Sequence, residues 1–193
     1  MGAYGVIGAL TMLILMPVFG LNQGAQPIIG YNFGAGHISR VRHALKLAVL
    51  VATAIVCTGF AVAQTIPTVL IRAFARDPGL VAIGVRGMHI CLAMLPLVGF
   101  QIVSANFFQA IGKAKTSLTL SLLRQVIVLI PPVLILPPII GLDGVWAAGP
   151  IADGIATIVT AAVLAWHLHR MGRGEHTVEV RPESFTVEDP AAT

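Results

Sequence analysis

The strongest constraint on this chain is a succession of apolar runs, each long enough to cross the roughly 30 Å hydrocarbon core of a bilayer. Five such runs occupy residues 3–21, 47–66, 87–108, 118–140 and 144–166. A helix of about twenty residues at 1.5 Å each is the economical way to span that distance, since it satisfies its own backbone. Composition agrees. Of the 193 residues, 56% are hydrophobic and only 10% are charged, against about 25% charged in soluble domains. A mean hydropathy of +0.89 excludes the soluble, disordered and collagenous classes. The expected fold is an all-α integral membrane protein of about five transmembrane helices.

The first run is not read as a signal peptide, because no Lys or Arg precedes Arg40. Residues 1–172 are expected to form the bundle. Residues 173–193 hold five of the eight acidic residues and are expected to form a flexible, polar cytoplasmic tail. Tyr4, Tyr31, Trp146 and Trp166 fall near run ends, where amphipathic rings favour the headgroup level. Cys57 and Cys91 stand far apart inside apolar runs and suit packing.

Loop charge predicts orientation. Arg40, Arg42, Lys46, Lys113, Lys115, Arg170 and Arg173 flank one side of the runs, while Arg72 and Arg76 stand beside Asp77 and Asp143 on the other. The positive-inside rule places the first group, and the tail, in the cytoplasm and the chain's start outside. The pI near 9.6 reflects this bias. Without a basic run or interleaved aromatics, no nucleic-acid partner is expected.

Polar residues inside the runs are the candidate working parts, because an ionisable group at a helix centre costs about 2.5–3.5 kcal/mol to insert. Asp153, Thr157 and Thr160 share a stripe at i, i+4, i+7. Such a stripe suits a cation or proton pathway, or alternatively an interhelical tie. Ser117, Ser121, Arg124 and Gln125 form a second stripe, in which Arg124 is placed to snorkel to the interface. Gln101, Ser104 and Gln109 share an arc with Asn106 at its edge. These amides suit either helix ties or neutral substrate contacts. His89 and Arg86 lie near the outer end. Pro17, Pro96, Pro131, Pro132 and Pro150 release carbonyls and bend helices. The chain carries no phosphate loop, no HExxH and no GxSxG, so no catalytic residue, metal site or organic cofactor is expected. His167, His169 and His176 near the end are not read as ligands.

Four stretches carry a resemblance. They are residues 20–36 (GLNQGAQPIIGYNFGAG), 106–113 (NFFQAIGK), 121–125 (SLLRQ), and 141–146 (GLDGVW) followed by 150–153 (PIAD). In order and spacing they resemble the last five helices of the multidrug and toxic compound extrusion family. The first stretch resembles the end of that family's eighth helix and the loop after it. The resemblance implies an exporter with two six-helix lobes that expels organic cations against an inward proton or sodium gradient. This chain would supply helices eight to twelve, most of the C-terminal lobe. The partners implied are lipid, small organic cations and an N-terminal lobe that the chain does not contain. Gln23 and Gln26 in the first stretch join the pathway candidates. The family's tenth-helix cation site has no carboxylate counterpart here, only Gln101, Asn106 and Gln109. Alternative readings are a lipid or lipid-linked sugar flippase of the same superfamily, and a non-transporting membrane remnant or assembly partner.

Overall fold

The computed structural model describes residues 2–74 and 77–172; the tail expected over 173–193 lies outside them. Described elements are helical throughout. They are α1 (Ala3–Gly34), α2 (Ile38–Thr65), α3 (Pro67–Arg72), α4 (Pro78–Cys91), α5 (Leu95–Ala110), α6 (Ala114–Leu122), a π-helical segment (Leu123–Val128), α7 (Ile130–Ile140) and α8 (Leu142–Gly172). Four helical stretches, at 3–34, 38–65, 114–140 and 143–171, are long and apolar enough to cross a membrane. The bent pair α4–α5 makes a fifth.

Local chemistry explains the breaks. Thr65 ends α2 because Pro67 follows within two residues. Asp77 caps α4, its carboxylate accepting from Leu80 N at 3.1 Å, with Pro78 at the first helical position. Pro96 cannot donate to Leu92 O. That carbonyl accepts from Leu95 N instead (2.9 Å), and α4 and α5 meet at 53°. The span expected at 87–108 with an interruption at Pro96 is thus a broken one that begins earlier, at Pro78. Pro150 releases Trp146 O in the same way, and the Cys91 thiol donates to it at 3.4 Å. A break in one helix is thus repaired by its neighbour.

α5 lies at the centre, packed against α1, α2, α6 and α8. Close approach depends on small residues. Ala48, Ala52 and Val56 line the buried face of α2, and a Cβ on Gly99 of α5 would stand 3.2 Å from Ala52 O. Phe107, Phe108, Met88 and Leu92 fill the core. The outer faces stay apolar: Leu134, Ile139 and Ile158 are among the exposed side chains. That is an inverted surface for water and a suitable one for lipid.

Two expectations need correction. The first helix does not stop near residue 21 but continues to Gly34, so most of the 20–36 stretch is helix and the turn falls at residues 35–37. Pro27 removes only one backbone donor, and nothing in the flanking residues breaks the ladder. Trp146 stands at the end of its run beside the exposed Tyr4, but its ring packs into the bundle instead of facing the headgroups. It is 4% exposed, stacked at 5.8 Å from the Tyr4 ring, and pressed on Gly87, where a Cβ would come within 2.9 Å of the indole. The glycine opens the slot that draws the ring inward.

Candidate functional site

Three helices contribute side chains to one polar seam. The π-helical segment stands one turn before Pro131 and Pro132, and its Leu129 N donates to Arg124 O over five residues (3.1 Å). Such an expanded turn changes which residues share a face. Arg124 Nε then donates to Asp153 Oδ1 of α8 at 2.7 Å, with the Asp153 side chain 14% exposed. Of the two readings the sequence left for Arg124, interfacial or structural, the geometry fits the structural one. The guanidinium finds a carboxylate on the adjacent helix, which removes the need to reach water.

α5 completes the seam. Gln101 is buried, and its Nε2 donates to Asp153 O (2.6 Å) and to Thr157 Oγ1. Thr157 Oγ1 in turn donates to Asp153 O at 2.6 Å. Asp153 is thereby fixed at its side chain by Arg124 and at its backbone by Gln101 and Thr157. An isolated charge here would be expensive, and a hydrogen-bonded pair is the arrangement that offsets most of that cost.

From this knot a cleft of about 220 Å³ follows α5 from Gln101 past Asn106 to Gln109, a rise of about 12 Å. Ser117, Ser121, Arg124, Gln125 and Thr160 form the opposite wall. Gln109, Ser121 and Gln125 are the outer members of the lining, whereas Gln101, Ser117 and Thr160 are buried. Eight of the eleven lining residues are polar. The cleft is smaller than the roughly 300 Å³ at which drug-sized pockets begin. It is large enough for several waters or an ion.

The three stripes inferred separately from sequence therefore meet. Two sets of residues stand apart. Ser104 bonds its own helix at Phe100 O and does not line the cleft. Gln23 and Gln26 lie on α1, away from the cleft, and take no part in it. Nor do the outer residues join. Arg86 pairs with Asp143, and His89 Nδ1 with Gln64 Oε1. Among the described residues no three His, Cys, Asp or Glu side chains cluster as metal ligands.

Sequence reading missed the Arg124–Asp153 pairing, which joins residues 29 apart on different helices. The one available signal was charge arithmetic, since each is the sole described charge within its span's interior.

Apolar helices with lipid-facing exteriors, proline breaks and a buried polar seam define a multi-pass helical membrane protein. Comparison with known proteins carries this further. The MatE family profile matches residues 1–134. The multidrug export protein MepA of Staphylococcus haemolyticus is 26% identical over 166 residues, covering 84% of this chain and 35% of that protein. MepA of Staphylococcus aureus is 26% identical over 168 residues, covering 87% of this chain and 36% of that protein. A ligand-bound structure of the MATE multidrug transporter DinF-BH aligns with 44% identity and a TM-score of 0.78, over 84% of this chain and 36% of that one. An outward-facing multidrug resistance MATE transporter shares the fold at 19% identity and a TM-score of 0.83, over 89% of this chain and 39% of that one. The chain belongs to the MatE family. It spans little more than a third of the length of the relatives it matches.

Proposed function

We propose that this chain forms the C-terminal lobe of a multidrug exporter, acting with an N-terminal lobe to expel small organic cations in exchange for protons or sodium ions. Expelling one positive charge against an inside-negative potential requires about 2.3 kcal/mol per 100 mV. One inward cation offsets it, which is the physical reason for antiport. The observation that carries the reading is the Arg124–Asp153 pair, whose arginine lines a polar cleft. An inert anchor has no need of an ionised pair reached by a polar passage.

In this scheme the cleft is too small to hold the substrate. It admits water or the coupling ion as far as Arg124 and Gln101, the hydrogen-bond partners of Asp153, and the substrate binds between lobes. Gln101 and Thr157 position the knot; Asn106, Gln109, Gln125 and Thr160 line the approach. The end carrying Arg40, Arg42, Lys46, Lys113 and Lys115 faces the cytoplasm by the positive-inside rule.

The test is efflux of a fluorescent organic cation from proteoliposomes holding the chain together with an N-terminal lobe. Gradient-driven efflux should fall by on the order of tenfold or more in Asp153→Asn, as it does when a general proton carrier is lost. Unchanged gradient dependence removes Asp153 from the coupling scheme.

A further inference from the structure

A second cavity lies outside the polar seam. α1 and α2 are joined by a short turn at residues 35–37, and a groove of about 800 Å³ lies along their outer faces. Its walls are Leu21, Ala25, Ile28, Ala44, Leu47 and Val51. It runs from Gly20 to Asn32 along α1 and from Ser39 to Val51 along α2, about 18 Å on each helix. At the turn end the lining changes abruptly to Asn32, Ser39, Arg40 and His43. The floor is open: a Cβ at Gly20 or Gly24 would meet nothing within 4 Å.

The turn end is also the bundle's basic end. Arg42 reaches from α2 to Leu168 O near the close of α8, which sets Trp166 and Arg170 at the same height. Trp166 and Tyr31 are exposed there, at 53% and 77%, as interfacial rings are. Among the described residues, no Asp or Glu stands at this end; Asp77 and Asp143 are at the other, and Asp153 is within the bundle. An apolar trough leading to cationic and hydrogen-bonding groups at headgroup height matches an amphiphile of opposite polarity. A cationic drug would meet Arg40 at the wrong end.

We propose that the α1–α2 groove binds an anionic phospholipid, with an acyl chain along Ile28, Leu47 and Val51 and the phosphate against Arg40 and His43. The site is separate from the polar cleft, and it stands or falls independently of the transport reading.

Native mass spectrometry of the purified full chain, with phosphatidylglycerol and phosphatidylcholine added in equal amounts, tests this. Phosphatidylglycerol adducts should predominate by about fivefold, the discrimination one interfacial cation supplies. Arg40→Gln/His43→Gln should abolish the preference, while Lys46→Gln, which lines a different groove between α2 and α8, should leave it intact. Gly24→Phe, which fills open space rather than clashing, should reduce retention of both lipids. Helix content by circular dichroism should be unchanged in each variant, and Gly24→Phe keeps the test decisive if the double variant does not fold. Equal retention of the two lipids overturns the proposal. So does a preference lost in Lys46→Gln but kept in the double variant, or full retention in Gly24→Phe. A preference that appears only after deletion of residues 173–193 overturns it too, because the acidic tail would then own the basic end. Displacement of the lipid by an organic cation alone would overturn it as well, and make the groove a substrate site.

Discussion

Two of the bundle's cavities are opposite in character. The seam between α5, the π-helical segment and α8 is small, polar and tied by hydrogen bonds across helices. The trough between α1 and α2 is more than three times larger, apolar, and crossed by no described side-chain hydrogen bond. Polar groups in lipid must find partners or an aqueous path, so they draw helices together. Apolar groups have no such need, because acyl chains solvate them as well as another helix does. The narrow cavity is therefore fixed by its chemistry, and the wide one is left for the solvent that fits it.

The contrast can be broken most forcefully at its ion pair. Asp153→Leu leaves Arg124 without a partner and should lower stability by about 3 kcal/mol, read by denaturant titration in micelles. Arg124→Leu/Asp153→Leu should recover most of that loss. A double variant no better than the single one would mean the pair does not act as a unit. The next effect concerns packing. A Cβ at Gly144 would stand 2.5 Å from Leu136 C and 2.8 Å from Pro137 N, both backbone atoms. Gly144→Ala must therefore push α7 from α8, at about 1–3 kcal/mol. Gly24→Ala, in open space, should be neutral or slightly stabilising by the same titration.

Accessibility sharpens the comparison further. In a background of Cys57→Ser/Cys91→Ala, Gln109→Cys should react with a hydrophilic thiol reagent on the order of ten times faster than Ile158→Cys, since only a thiolate in water reacts. Ile158 is 72% exposed but faces lipid on α8; equal rates would deny the cleft its water. A modest loss, smaller than that from breaking the ion pair, is expected from Gln101→Leu. It removes two interhelical donations, each of about 0.6 kcal/mol on average, and the same micelle titration measures it.

Much of this was legible in one dimension. The spans at 118–140 and 144–166 fall inside the helices observed at 114–140 and Leu142–Gly172, because an apolar run bounded by charge has few alternatives in lipid. Period 3.6 alone puts Asp153, Thr157 and Thr160 on one face of α8, whereas Ser104 of the α5 arc bonds back to Phe100 O and is absent from the cleft lining. Sequence misjudged features that depend on a neighbour. Trp146 turned inward because Gly87 offered a slot on another helix. Residues 22–34 are helical although the first run was read to end at residue 21.

The amino-acid order by itself determined that the chain inserts in lipid as helices, where they break, and which end carries the positive charge. These follow from local properties: hydrophobic length, missing proline donors, and charge beside each run. Only the tertiary structure decided that Arg124 meets Asp153 across 29 residues of sequence, and that a trough runs along the outer faces of α1 and α2. Such outcomes depend on which faces abut, which is set by the fit of small residues and by the demand of each buried polar group for a partner.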